Sequence, residues 1–280
     1  MPFADSKTRV PTDSSGKTAL NLIEFRPKIS EKTRFCLEQP VEHGQKPCTN
    51  AKSDRLLGSA RGQTEPEKWL KEAEDAYGRV TGYTAIFHKQ QRVKGKLLQE
   101  ETILIKFRRP FSLYMRWIAA PYKGSELLYV EGWNGNRARA HRGGLTRFIT
   151  RNLDPKNPRL MAGNLRPLTD TGIGYLVKTV AVNVRKASKA GELSFFARGE
   201  EMVYGRKTQI LEAVFPKDKV KGYDAYRVIV NQDIKSKILV RIQIYDWDDQ
   251  LFEKYGYEDL KLDAGLTDAD FDPENAGYHF

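Results

Sequence analysis

Cysteine is nearly absent from this 280-residue sequence, which has only Cys36 and Cys48. That count excludes a scaffold built from disulfides, and the pair fits one disulfide or two free thiols equally well. Histidine is also scarce. His43, His88, His141 and His279 show no metal-ligand spacing, and Cys36, His43 and Cys48 have no evident fourth partner for zinc. No apolar run approaches the ~18 residues of a membrane-spanning helix. The N-terminus has no unbroken apolar stretch of about 7–15 residues, as a secretory signal would. That fits a cytoplasmic chain, a mature exported chain or a misplaced start alike. G-x-S-x-G, P-loop and HExxH motifs are missing, and no Ser or Cys has the surroundings of a nucleophile. No catalytic residue, metal ligand or cofactor is therefore predicted.

Positive charge is plentiful. The net charge is +11, with 40% hydrophobic and 30% charged residues, a balance that allows a soluble core. Such an excess favours anionic partners: nucleic acid, lipid head groups or acidic polysaccharide. Aromatics interleaved with base-reading groups on a known module are lacking, so no nucleic-acid partner is expected. Residues 1–63 differ from the remainder. Pro2, Pro11, Pro27, Pro40 and Pro47 interrupt them and no period is sustained, which reads as a disordered or loosely packed leader. Its one apolar patch is Leu20, Leu22, Ile23 and Phe25. Residues 64–280 read as a single domain.

That domain opens on TEPEKWLKEAEDAYG. Thr64 with Glu67 makes a capping box and Pro66 suits the first turn. Trp69, Leu70, Ala73, Ala76 and Tyr77 repeat at helical spacing, and Gly78 is expected to end the helix in the left-handed conformation. The period then switches to two. Residues 80–92 and 97–108 read as strands joined at Lys94-Gly95, and 111–118 as a third strand started by Pro110. Asn134-Gly135 marks a hairpin between SELLYVEGW and RARAH. A connection rich in Pro and Asn, 150–168, leads to a second helix with the stripe Ile173, Leu176, Val177, Val180, Ala181 and Val184, closed near Gly191. Further strands are expected near 208–215, 223–232, 236–246 and 250–260.

Ten or so strands with two covering helices indicate an α+β fold: one large antiparallel sheet, helices on one side. A sheet of this length curls, so the expectation is a half-barrel with helices on its concave face. Phe111, Leu113, Met115 and Trp117 share one side of their strand, and Ile103, Ile105 and Phe107 of the preceding strand join them. Two modest helices must hide a large apolar surface, and the surplus makes a cavity conceivable. The plainer reading is core packing under a helix. Met115 and Trp117 lean towards a variable partner because Met adapts to irregular space.

Three other patterns bear on chemistry. Arg137, Arg139 and His141 alternate on one strand, with Arg142, Arg147 and Arg151 close behind. Planar guanidinium groups suit phosphate or carboxylate, while the plainer reading is a solvated rim. Asp268, Asp270 and Asp272 resemble the start of a calcium loop, but Pro273 and His279 stand where Gly and Glu belong. Thr267 with Asp270 as a capping box explains them better. Gly172 and Gly174 ahead of a helix offer amides to a phosphate, yet no strand precedes them and the third glycine is missing.

YTAIFHKQQRVKGKL (83–97), KFRRPFSLYMRW (106–117), GSELLYVEGWNGNRARAH (124–141) and LTDADFDPENAGYHF (266–280) together resemble an uncharacterised bacterial family, domain-of-unknown-function family fifteen-seventy-one. The resemblance runs from about Thr64 to Phe280 and excludes the leader. By its layout the chain is also similar to the LolA/LolB-like lipoprotein-carrier fold, whose curved sheet and helical lid enclose an apolar cavity. These resemblances imply a non-catalytic protein of the periplasm or outer envelope that holds a lipid acyl chain or a lipidated polypeptide. On this reading Ile103, Ile105, Phe107, Leu113, Met115 and Trp117 contact the hydrophobic ligand. Arg137, Arg139 and Arg142 face an anionic head group or envelope polymer. The alternative is a structural or regulatory interaction module of the same fold with no small ligand.

Overall fold

The computed structural model describes residues 65–280. The expected leader with Cys36, His43 and Cys48, the patch Leu20–Phe25, and the cap Thr64 lie outside the described residues. The chain runs through α1 (Glu65–Gly78), β1 (Gly82–Val93), β2 (Lys96–Leu97), β3 (Glu101–Arg108), β4 (Ser112–Trp117), β5 (Glu126–Val130) and β6 (Ala138–His141). It continues through β7 (Arg151–Leu153), α2 (Pro158–Met161), α3 (Ile173–Ala190), β8 (Ser194–Val203), β9 (Arg206–Val214), β10 (Arg227–Asp233), β11 (Leu239–Tyr245) and β12 (Leu251–Leu262). The strands form a single sheet in the order β7-β6-β5-β4-β3-β1-β12-β11-β10-β9-β8, with β2 paired to β1. The fold is α+β: a large, curved, antiparallel half-barrel with α1 and α3 on its concave side.

Alternation sets the register. Leu113, Met115 and Trp117 face Phe107, Ile105 and Ile103 across the β3–β4 pair. Tyr83, Ala85 and Phe87 continue the same rows on β1. In α1 the spacing buries Trp69, Leu70, Ala73 and Ala76. In α3 it buries Ile173, Leu176, Val177, Val180, Ala181, Val184 and Ala187. The indole of Trp69 packs on Phe195 of β8 with ring centroids 5.8 Å apart. The helices thus interlock with the β8–β12 side of the sheet, in one core with Leu211, Val230 and Ile242.

Two glycine expectations resolve differently. Gly191 takes the left-handed conformation at the end of α3 (φ 68°), its N–H bonding the carbonyls of Ala187 and Ser188. Gly78 stays helical; the carbonyls of Tyr77 and Gly78 are instead capped by the Arg109 guanidinium at 3.0 and 3.2 Å. The TGIGYL glycines serve packing. A Cβ on Gly174 would lie 2.2 Å from the Tyr77 ring, so its absence lets α1 and α3 touch. At Gly172 (φ +109°) a Cβ would meet the Tyr83 hydroxyl at 2.9 Å, and that hydroxyl accepts from the Ile173 amide at 3.3 Å. Tyrosine occupies the helix start that a phosphate would need.

Some local structure differs from expectation. β8 was not anticipated: it is a largely exposed edge strand, so SFFARGEEMV shows no apolar alternation. A bulge between Ala197 and Glu200, together with the charges of Arg198, Glu200 and Glu201, blunts that edge. Pro110 lies in the turn before β4, after a cis peptide bond. The Asn134-Gly135 hairpin is wider than two residues, with Asn134, Gly135 and Asn136 all at positive φ.

The convex face carries a second apolar cluster. Tyr114, Leu128 and Phe271 are buried there, with Tyr278 and Phe280 packed against them. The rings of Tyr114 and Tyr278 stack at 3.8 Å. Residues 266–280 are thereby fastened over β3–β5. Thr267 and Asp270 form the expected capping box, and Lys106 donates to Asp270 at 2.7 Å. Burial alone raises the Asp270 pKa, but Lys106 and the Thr267 amide outweigh it and hold the carboxyl below the ordinary aspartate range. A carboxyl depressed in the native state stabilises fully above its unfolded value, near pH 4, and loses that contribution as pH falls through the native value. Asp270→Asn should therefore cost about 1–2 kcal/mol at pH 7 and progressively less below about pH 4. Urea titrations of both proteins across pH check this; a difference that persists unchanged into strong acid would refute it.

Candidate functional site

A cavity of about 670 Å³ lies under the concave face, beyond the reach of α1. Small-molecule sites span ~300–1,000 Å³. Its floor is sheet: Phe87, Met115, Trp117, Leu127, Ala140 and Tyr257. Its roof is mainly the connection between β7 and α3, through Leu160, Gly163, Arg166 and Leu168, with Leu176 of α3 at one end. The two halves of the sheet are thus covered differently. Interlocked helices fill one half solidly, while a strap with little regular structure bridges the other and leaves space.

Polar bonds hold the strap to the floor. On β1 the alternation that buries Tyr83, Ala85 and Phe87 continues to Lys89 and Gln91. Lys89 donates to Glu101 at 2.8 Å and to the side chain of Asn164 in the roof. The other Glu101 oxygen accepts from the Trp117 indole at 2.6 Å. Gln91 accepts from the Leu165 amide at 3.2 Å. Arg166 forks onto Glu253 of β12 at 2.9 and 3.2 Å and donates to the Tyr175 hydroxyl at 2.6 Å. Tyr255 and Gln91 complete this group: the tyrosine hydroxyl donates to Glu253 and accepts from Gln91 at 2.5 Å.

The electrostatics follow from these contacts. Burial opposes the charge on Arg166, but the hydrogen bonds and charge of Glu253 prevail and raise its pKa. Burial, reinforced by Glu253, raises Tyr255 well above the ordinary phenol range. Glu101 and Glu253 are each matched by a cation and engaged in hydrogen bonds, which fastens the strap to the sheet. Glu126, also at the cavity, is buried beside His141 and His279. Among the described residues no three His, Cys, Asp or Glu converge as metal ligands.

The residues singled out from sequence separate into three places. Met115, Trp117 and Arg142 border the cavity. Ile103, Ile105, Phe107 and Leu113 lie in the packed core and do not reach its surface. Arg139 sits opposite Leu128, so alternation carries Arg139 and Arg137 to the convex side, away from the trough. His141 has the same parity but, at the end of its strand, also borders the cavity together with Glu126, 4.0 Å away. The Glu126 carboxylate accepts from Tyr114 at 3.0 Å and contacts His279 at 2.6 Å. Arg151, already part of the basic cluster read from the sequence, joins Arg142 at the mouth together with Arg159, which sequence reasoning missed. Arg151 was legible by parity once paired with Ala140. Sequence reasoning likewise missed Lys89, Glu101, Arg166 and Glu253, because charged residues on strands and loops read as solvated.

The family model described as a protein of unknown function (DUF1571) matches residues 80–280. The chain belongs to the DUF1571 family. The match takes in all twelve strands and α3 and starts just after α1. No curated protein matches the DUF1571 chain. Among solved structures, it is similar to the Mycobacterium tuberculosis lipoprotein LppX: 14% identity, 73% of this chain, 99% of that one, TM-score 0.43. It is also similar to the Pseudomonas aeruginosa MucA/MucB complex, at 14% identity over 75% of this chain and 61% of that one, TM-score 0.43. A third likeness is to a LolA superfamily protein of Nitrosomonas europaea, at 10% identity, 74% and 97% coverage and TM-score 0.31. The DUF1571 chain spans about three fifths of the MucB chain it matches. At these levels function has to be read from the cavity itself.

Proposed function

We propose that this protein is a non-catalytic envelope protein that holds the acyl chain of a lipid or lipidated polypeptide in the cavity, with the head group against Arg142, Arg151 and Arg159. The observation that carries this reading is the combination of a 670 Å³ space with walls such as Met115, Leu127, Ala140 and Leu160, and the neutralisation of Lys89 by Glu101 and of Arg166 by Glu253. A polar substrate would meet no unspent hydrogen-bonding groups at the Lys89–Glu101 or Arg166–Glu253 pairs. A hydrocarbon needs none. Among the described residues, no carboxylate forms an ion pair with Arg142, Arg151 or Arg159, which suits them to an anionic head group at the open side.

Fatty acids of graded length, competing against a fluorescent fatty acid, test the reading. Each buried methylene contributes about 0.8 kcal/mol, so affinity should rise about fourfold per carbon until the cavity is full. Ala140→Trp places an indole in the space and should weaken uptake by about tenfold or more, with thermal unfolding changed little. Native mass spectra containing only the apo mass, with no fatty-acid competition, would sink the proposal. In that case a stoichiometric protein partner would become the better reading.

A further inference from the structure

The loop between β6 and β7 has a composition that neither the fold nor the cavity requires. Leu145 is fully exposed, Phe148 is 79% exposed and Ile149 is 53% exposed, in one short stretch folded as a turn over Gly144–Thr146. Tyr122, 45% exposed, stands on the adjoining β4–β5 loop. The loops touch: Gly143 packs on the Lys123 carbonyl, and its amide donates to Ser125 at 2.9 Å. Of the other large exposed apolar side chains, Val182 lies on α3, Val220 on the β9–β10 connection, and Phe196 and Met202 six residues apart on the edge strand β8, as is ordinary for a protein surface. Among the described residues, only here do four fall on two touching loops.

Their setting is strongly basic. Lys123, Arg142, Arg147, Arg151, Lys156 and Arg159 lie on or near these loops in the sequence, Arg142, Arg151 and Arg159 meeting at the cavity mouth, and Asp154 is the only acid between Gly132 and Thr169. Among the described residues, none of these six cations is ion-paired. The guanidinium of Arg147 lies over the Phe148 ring, 4.7 Å from its centroid, so charge and aromatic edge point the same way. The loop has two sides with different roles. Thr146 and Ile149 border the cavity mouth, whereas Leu145 and Phe148 do not.

We propose that residues 142–151, with Tyr122 and Lys123, form a docking tip that inserts Leu145 and Phe148 into an anionic bilayer surface and brings the cavity mouth to it. The shape favours a bilayer over a protein partner. Leu145 and Phe148 project from an exposed turn and line no pocket themselves, so they give an anchoring side chain nothing to enter, while a bilayer deforms around them. Long basic side chains can bury their stems and keep their charge among the head groups. The pairing also makes physical sense for the neighbouring cavity, since an acyl chain could pass from bilayer to mouth with little exposure to water.

Sedimentation of the full chain with vesicles tests the tip separately from the cavity. The protein should bind vesicles of phosphatidylcholine mixed with phosphatidylglycerol, bind phosphatidylcholine alone much less, and release as salt rises. Leu145→Asp combined with Phe148→Asp should abolish binding, and Lys123→Ala or Arg147→Ala should each weaken it about fivefold. Phe148→Trp should shift its emission to the blue when mixed vesicles are added. Fatty-acid uptake in vesicle-free solution should be unchanged in the Leu145/Phe148 double variant, because neither residue borders the cavity. The proposal is overturned if wild type ignores mixed vesicles at low salt, or if the double aspartate variant binds them equally. Self-association that the double variant abolishes would also overturn it and make the tip a protein contact.

Discussion

Leu113→Asp should yield no folded protein, whereas Trp117→Asp, two pleats along the same face of β4, should yield a folded protein that has lost its ligand. Leu113 is completely buried between Phe107 and Tyr129, and no cation or hydrogen-bond donor is paired with it. Removing its side chain costs about 2–5 kcal/mol, and stranding a carboxyl in apolar surroundings adds further. The sum rivals the whole stability of an ordinary domain, about 5–15 kcal/mol. Trp117 lies at the cavity wall, part-exposed, with its indole held by Glu101. An aspartate there meets the open space of the cavity, and the Lys89 ammonium that bonds Glu101 offsets part of the repulsion from that carboxylate, but it replaces an apolar wall and sits where a chain would lie. Circular dichroism and fatty-acid binding read the two variants. Equal unfolding of both would mean that the cavity is not open beside β4.

Glu253→Ala carries the other large effect. Its side chain is buried, and it takes a bidentate bond from Arg166 of the strap. Breaking such a pair leaves Arg166 half-buried without its counter-ion, which costs about 3–5 kcal/mol. The lower end is expected because part of the guanidinium can still find water. Changing both partners to Met should cost less than either single change, since two apolar groups of similar size leave no orphaned charge. Chemical denaturation gives the cycle, and amide exchange locates it: residues 158–172 should lose protection while α3 keeps its own. A uniform loss across the sheet would show that Arg166–Glu253 stabilises the whole core rather than the strap.

These expectations depend on features that were unevenly legible in the sequence. Elements with a clean period were plain. The stripe of α3, the alternation of Leu239–Tyr245 and the face shared by Leu113, Met115 and Trp117 follow from geometry that residues cannot easily disguise. β8 was hidden because an edge strand with both faces wet has no pattern to show. The strap was hidden because no period organises it; Asn164, Leu165 and Arg166 matter through three long-range bonds whose partners lie 74 to 87 residues away. The arginines illustrate a third difficulty. Arg137 and Arg139 were legible as neighbours on one face, but which face could be settled only by knowing that Leu128 opposite Arg139 looks outward onto Phe271. The apolar surplus was likewise visible in outline. Its division into solid core at Ile103 and Ile105 and open wall at Met115 depends on where the helices stop.

That division has a mechanical consequence. Side chains that interlock resist displacement because every small shift opens a void, whereas a segment hung on a few polar contacts can lift when those contacts part. Among the described residues, softness is therefore expected in this strip, directly above the cavity of about 670 Å³. Guests of unequal bulk could be admitted by flexing that strip alone, with the rest of the scaffold remaining stiff.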